Sequence, residues 1–105
     1  MPAFILADVK VKDMDAYRES GYLENTPKIA AKFGGRYRAR GGEMDQVEGD
    51  WLPARMIIIE FPDMQSARDF YQSEEYAPWV KVRQSLAESK IIALDGVTAK
   101  AVSIE

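Results

Sequence analysis

Two residue types are missing altogether: the 105 residues contain neither cysteine nor histidine. Without cysteine there is no disulfide, thiol nucleophile or thiolate metal ligand. Without histidine there is no Ser-His-Asp triad, no imidazole zinc ligand and no usual proximal ligand for haem. Long apolar runs are missing as well. The apolar start Phe4-Ile5-Leu6-Ala7 is cut by Asp8 and Lys10, and nothing approaches the roughly 20 apolar residues of a membrane span, so neither membrane insertion nor a signal peptide is expected. A charge excess is also absent. Fourteen Lys and Arg stand against seventeen Asp and Glu for a formal charge of −3, which offers nucleic acid no electrostatic footing. No Pro/Gly/Ser-rich linker interrupts the chain, so a single domain over residues 1–96 with a C-terminal tail over 97–105 is expected. The expected location is cytoplasmic, in keeping with a cysteine-free chain in a reducing compartment.

What is present is a globular composition, 47% hydrophobic and 30% charged, which excludes a disordered chain. Ala3 to Val11 alternates, with Ile5, Ala7, Val9 and Val11 on one face and Leu6, Asp8 and Lys10 on the other; that is a half-buried strand. Asp13 is placed to cap a helix. The Thr26-Pro27 dipeptide predicts a division of that helical segment, because proline lacks an amide hydrogen and biases its predecessor away from helix. Gly34-Gly35 ends the segment. Arg36 to Arg40 alternates again as a second strand, and the glycine- and acid-rich stretch from Gly41 to Trp51 reads as an exposed hairpin loop. Met56 to Phe61 is a near-continuous apolar run suited to a central strand. Asp63 caps a helix carrying Ala67, Phe70 and Tyr71, and Ser73 a further one with Tyr76, Trp79, Val80, Arg83 and Leu86. Lys90 to Leu94 is the last strand. The order β-α-β-β-α-β predicts an α+β, ferredoxin-like fold: a four-stranded antiparallel sheet of order 4-1-3-2 with helices on one face.

Such a sheet leaves its other face to be covered. With Tyr37 and Ala39 set beside Ile57, Ile59 and Phe61 on the helix side, the open side carries Arg36, Arg38, Arg40, Met56, Ile58 and Glu60. Phe4, Leu6, Asp8, Ile92 and Leu94 join them from the outer strands. Monomers seldom expose apolar patches of more than a few hundred Å², so a homodimer is expected, its two sheets facing each other around a barrel of apolar and charged side chains. Gly34-Gly35-Arg36-Tyr37-Arg38-Ala39-Arg40-Gly41-Gly42-Glu43, Glu48-Gly49-Asp50-Trp51, Pro53 with Arg55, and Ile59-Glu60-Phe61-Pro62 together resemble domain-of-unknown-function family 1330. Ser73-Glu74-Glu75-Tyr76 with Arg83 is similar to that family's Ser-Pro-Glu-Tyr segment and downstream arginine, Glu74 standing where proline is usual. The resemblance runs from Ala3 to Gly96. It implies the dimeric α/β-barrel superfamily, which includes cofactor-free monooxygenases, haem enzymes and lactone isomerases, while the family itself has no settled activity.

Arg36, Arg38 and Arg40, at i, i+2 and i+4 of one strand, share a face and would converge. They are candidates to hold a carboxylate, enolate or phosphate, or equally to pair with Glu60, Asp8 or acids of a second subunit. Asp8, Glu60, Tyr17 and Tyr22 are the candidate proton carriers, and Asp8 and Glu60 alternatively serve as the arginines' counter-charges. Trp51 is a candidate to close a pocket mouth or contact the partner, or it packs on its own sheet. Three functions follow. The first is a homodimer binding a small anionic or enolisable molecule, an enzyme without cofactor or metal in its catalytic version. The second is a non-catalytic, structural or stress-related dimeric module. The third, haem handling, would need tyrosine as ligand. A cavity of about 300 Å³ or more with unpaired arginines favours the first, and a collapsed, fully paired interior the second.

Overall fold

The computed structural model describes residues 1–97. Its elements are β1 (Ala3–Val11), α1 (Met14–Glu19), α2 (Tyr22–Lys32), β2 (Arg36–Arg40), β3 (Met56–Phe61), α3 (Met64–Tyr71), α4 (Ala77–Leu86) and β4 (Ala87–Asp95). All strand pairs are antiparallel, in the order β2-β3-β1-β4, which is the predicted order read from the other edge. β1 and β3 are central and their parity is clean. Ala3, Ile5, Ala7 and Val9 are buried with Ile57, Ile59 and Phe61 on the helix side, while Phe4, Leu6, Met56 and Ile58 on the open side are half-buried. The core lies between sheet and helices. Its largest fully buried side chains are Tyr17, Phe61 and Phe70, and Phe70 stacks on Tyr76 at 4.5 Å between ring centroids, a geometry aromatic pairs favour. Asp13 caps α1 by accepting from the amides of Asp15 and Ala16, and Asp63 caps α3 by accepting from that of Ser66, both at the positions predicted. None of the described helices is long and apolar enough to cross a membrane. The expected tail begins at exposed Val97, and the alternation through Ala99 and Ala101 lies outside the described residues.

Two local expectations are corrected. The first helical segment does break, but at Ser20–Gly21 rather than at Thr26-Pro27. Gly21 sits at φ 86°, where a side chain is disfavoured, and Pro27 lies inside α2. Proline withholds the amide that would bond the carbonyl four residues earlier, that of Leu23. The Arg40 guanidinium donates to this carbonyl instead, so the helix continues with its open acceptor filled. The second correction concerns the register of β2. Arg36 faces Glu60 and Tyr37 faces Ile59, but Ala39 then faces Ile58 and Arg40 faces Ile57, with the irregularity between Tyr37 and Ala39. One residue, Arg38, is extra, and a bulge of this kind reverses side-chain parity beyond it. Ala39 therefore lies on the open face. Arg40 turns to the helix side, away from Arg36 and Arg38.

Candidate functional site

The site forms where five tyrosines and three arginines from different elements meet under the helices. Arg83 belongs to the buried face of α4 and is only 3% exposed. Its Nη1 donates to the Tyr76 hydroxyl at 2.8 Å and to that of Tyr22 at 3.4 Å, and its Nη2 donates to the Tyr71 hydroxyl at 3.2 Å. The hydroxyls of Tyr22 and Tyr76 also share a short hydrogen bond with each other. No carboxylate among the described residues pairs with Arg83, and its Nε has no partner. A guanidinium stays protonated at any ordinary pH, so this is a buried positive charge held only by tyrosine hydroxyls among the described residues.

Burial drives the Tyr76 hydroxyl well above its ordinary range and the neighbouring Tyr22 adds to this, outweighing the pull of Arg83 the other way. Burial, then Tyr22, raises Tyr17 and Tyr37 in the same manner. The cavity beside this cluster has a volume of about 40 Å³. Its floor is the apolar face of the sheet, including Ile5, Ala7, Ile57 and Ile59, and its mouth carries Arg40 and Arg55. None of its lining residues is acidic. Val9, Leu23 and Arg55 also line an outer groove of about 540 Å³ that contains Lys10 and Arg18. Thr26, another lining residue, has its buried Oγ1 without a hydrogen-bond partner among the described residues. Among the described residues there is no cluster of acids that could hold a metal ion.

The candidates read from the sequence divide between the two faces of the sheet. Tyr17, Tyr22 and Arg40 come together in the cavity. Arg36 and Arg38 do not; they remain on the open face, where Glu60 accepts from Arg38 Nε at 2.9 Å and lies 3.9 Å from Arg36. Asp8 is on that face too, its Oδ1 accepting from the amide of Ala54 at 3.0 Å and so fastening the end of the β2–β3 loop. Trp51 stands in that loop, 65% exposed. The three arginines therefore do not converge, and Asp8 and Glu60 do not reach the cavity. Arg83, Arg55, Tyr37 and Tyr76 are the residues that sequence reasoning did not place in a site. Arg83 did leave a signal, being a lone charge within the apolar stripe Tyr76, Trp79, Val80, Leu86 of its helix. Of the two features expected to separate binding from a purely structural interior, the unpaired arginines are present, and the inner cavity is smaller than a whole ligand needs.

Comparison with known proteins places this geometry. The chain matches solved structures over nearly its full length. A protein of unknown function from Rhodopseudomonas palustris, RPA0582, is 20% identical, with a TM-score of 0.71 over 92% of this chain and 83% of that one. SnoaB from Streptomyces nogalater, a cofactor-independent oxygenase, is 12% identical, with a TM-score of 0.65 over 96% and 98%. An antibiotic biosynthesis monooxygenase is 13% identical, with a TM-score of 0.57 over 93% and 100%. At these identities the likeness is one of fold. No curated protein matches the sequence. The family model of DUF1330, a domain of unknown function, matches residues 2–97, and with that span covered the chain belongs to the DUF1330 family.

Proposed function

We propose that this protein binds a small organic anion, a carboxylate, enolate or phenolate, with its charged end in the cavity between sheet and helices and its bulk in the adjoining groove. The observation that carries this reading is Arg83: a buried guanidinium costs several kcal/mol to desolvate, and no carboxylate among the described residues offsets that cost. An arriving anion would. The lining holds no carboxylate or imidazole to act as base, and burial raises Tyr17, Tyr37 and Tyr76, so the site is suited to receive an anion rather than to make one. Hydrogen-bond donors fixed in a dry pocket stabilise such charge far better than water-exposed ones.

A catalytic extension draws support from the fold shared with SnoaB, a cofactor-independent oxygenase. An electron-rich enolate or phenolate is a form of organic substrate able to give electrons to dioxygen. Conversion of a methylene to a carbonyl by one dioxygen, with release of one water, balances without a further reductant. The open sheet face supports a homodimer, because Ile92 and Leu94 are 61% and 52% exposed beside half-buried Phe4, Leu6 and Ile58.

Arg83→Gln tests the binding reading. Glutamine keeps a donor for Tyr76 and removes the charge. The unliganded variant should be at least as heat-stable as the wild type, and the stabilisation of the wild type by acetate, benzoate or acetoacetate should disappear. A marked loss of stability in the variant, with a wild type indifferent to all three anions, would leave the non-catalytic module in its place.

A further inference from the structure

The cavity has positive charge at both ends. Cross-strand pairing places Arg40, Ile57, Ala7 and Ile91 in one row across the sheet, all turned to the helix side. The two ends of that row stand three strand spacings apart, about 14 Å between backbones. At the β4 end Arg83 lines the cavity together with Ile91, and with Tyr71 and Ser89 it also lines a groove along that strand. At the other end are Arg40 and Arg55. The space between is walled by aliphatic and aromatic side chains, and none of the lining residues is an acid.

The mouth arginines are held in place but not neutralised. Arg55 crosses beneath the turn at Gly41, where an added Cβ would lie 2.6 Å from its Nε; a side chain there would displace the guanidinium. Arg40 lies over the Tyr37 ring at 5.1 Å and donates to the Leu23 carbonyl that Pro27 leaves open. Among the described residues neither pairs with a carboxylate. A carbonyl is a neutral acceptor that takes one bond, whereas a carboxylate brings an opposite charge and can take the guanidinium fork through two parallel bonds. An incoming anionic group therefore competes well for Arg40.

Resting on the binding reading above, we propose that the ligand is an unbranched dianion, one acidic group held by Arg83 and the tyrosine hydroxyls, the other by Arg40 and Arg55. The narrow apolar middle admits no more than a methylene chain, and the second acidic group lies outside it, where Arg55 meets the outer groove. Pro27 has a part in this, since by withholding an amide it parks Arg40 across the mouth on an acceptor that it readily leaves.

The test is a calorimetric and thermal-shift series on the full chain at matched ionic strength. It compares succinate, glutarate, adipate and suberate with butyrate, valerate, hexanoate and octanoate. The best diacid should bind at least tenfold more tightly than the monoacid of equal length, with a clear optimum of length. Arg40→Leu and Arg55→Leu, each checked for folding by circular dichroism, should cut that advantage to less than threefold, whereas Arg83→Gln should weaken diacids and monoacids alike. Pro27→Ala supplies an amide to Leu23 and frees Arg40, so diacid affinity should rise several-fold while monoacid affinity stays the same. Equal binding of diacids and monoacids, or a diacid preference that survives both arginine variants, overturns the dianion and leaves the anion site standing. Failure of every acid to bind overturns both.

Discussion

At Tyr76 two influences oppose each other: Arg83 donates to its hydroxyl, which favours the phenolate, and burial favours the phenol. Burial prevails, and it does so at Tyr17 and Tyr37 as well. The consequence for stability has a definite sign. In the unfolded chain these groups lose their protons near their ordinary value of 10.0, whereas the folded chain retains them. Stability from this source is complete below that pH and falls as the pH rises past it. Alkaline titration should therefore show phenolate absorbance from these three tyrosines only together with the loss of far-ultraviolet dichroism; their ionisation in a chain still folded would contradict the burial described. Arg83 was legible in the sequence as a charge out of place, yet its partners were not. Tyr22, Tyr71 and Tyr76 come from separate segments, and only the packing of α2, α3 and α4 brings their hydroxyls to one guanidinium.

Most elements were legible because pattern and structure share a period. β1 and β3 alternate in sequence and in burial alike, and their helix-facing residues are the ones expected. β4 extends over Ala87–Asp95 rather than beginning at Lys90, since α4 passes into it without a loop and β1 pairs with it from Val11 onward. Pro27 misled because one part of an interior proline's cost, the unfilled carbonyl of Leu23, is offset by a donor that lies 17 residues away on a strand. The break at Gly21 is the one the backbone requires. Gly21→Ala would force a left-handed residue to carry a Cβ lying 3.1 Å from the Asn25 amide and 3.3 Å from the Trp79 ring. The conformation alone costs about 1–2 kcal/mol, so urea unfolding should show at least that loss; an unchanged midpoint would mean that α1 and α2 join some other way.

In the whole molecule one sheet serves two surfaces, and neighbouring residues of a strand belong to different ones. Ile59 lines the cavity while Glu60, next to it, holds Arg36 and Arg38 on the open side. The dimer read from that open side predicts a wild-type mass in light scattering of twice 11.8 kDa, with about 1,200–2,000 Å² buried between subunits. Ile92→Glu should yield a folded monomer, and a wild type already monomeric at micromolar concentration removes the dimer. The bulge at Arg38 then acquires an evolutionary meaning. An edge strand has a single neighbour, so gain or loss of one residue there disturbs the least hydrogen bonding of any strand position. Such an insertion moves every later side chain of the strand to the opposite surface. A lineage of these proteins can therefore transfer an arginine between the open face of its sheet and the cavity under its helices by the insertion or deletion of one codon, with no substitution at the arginine itself.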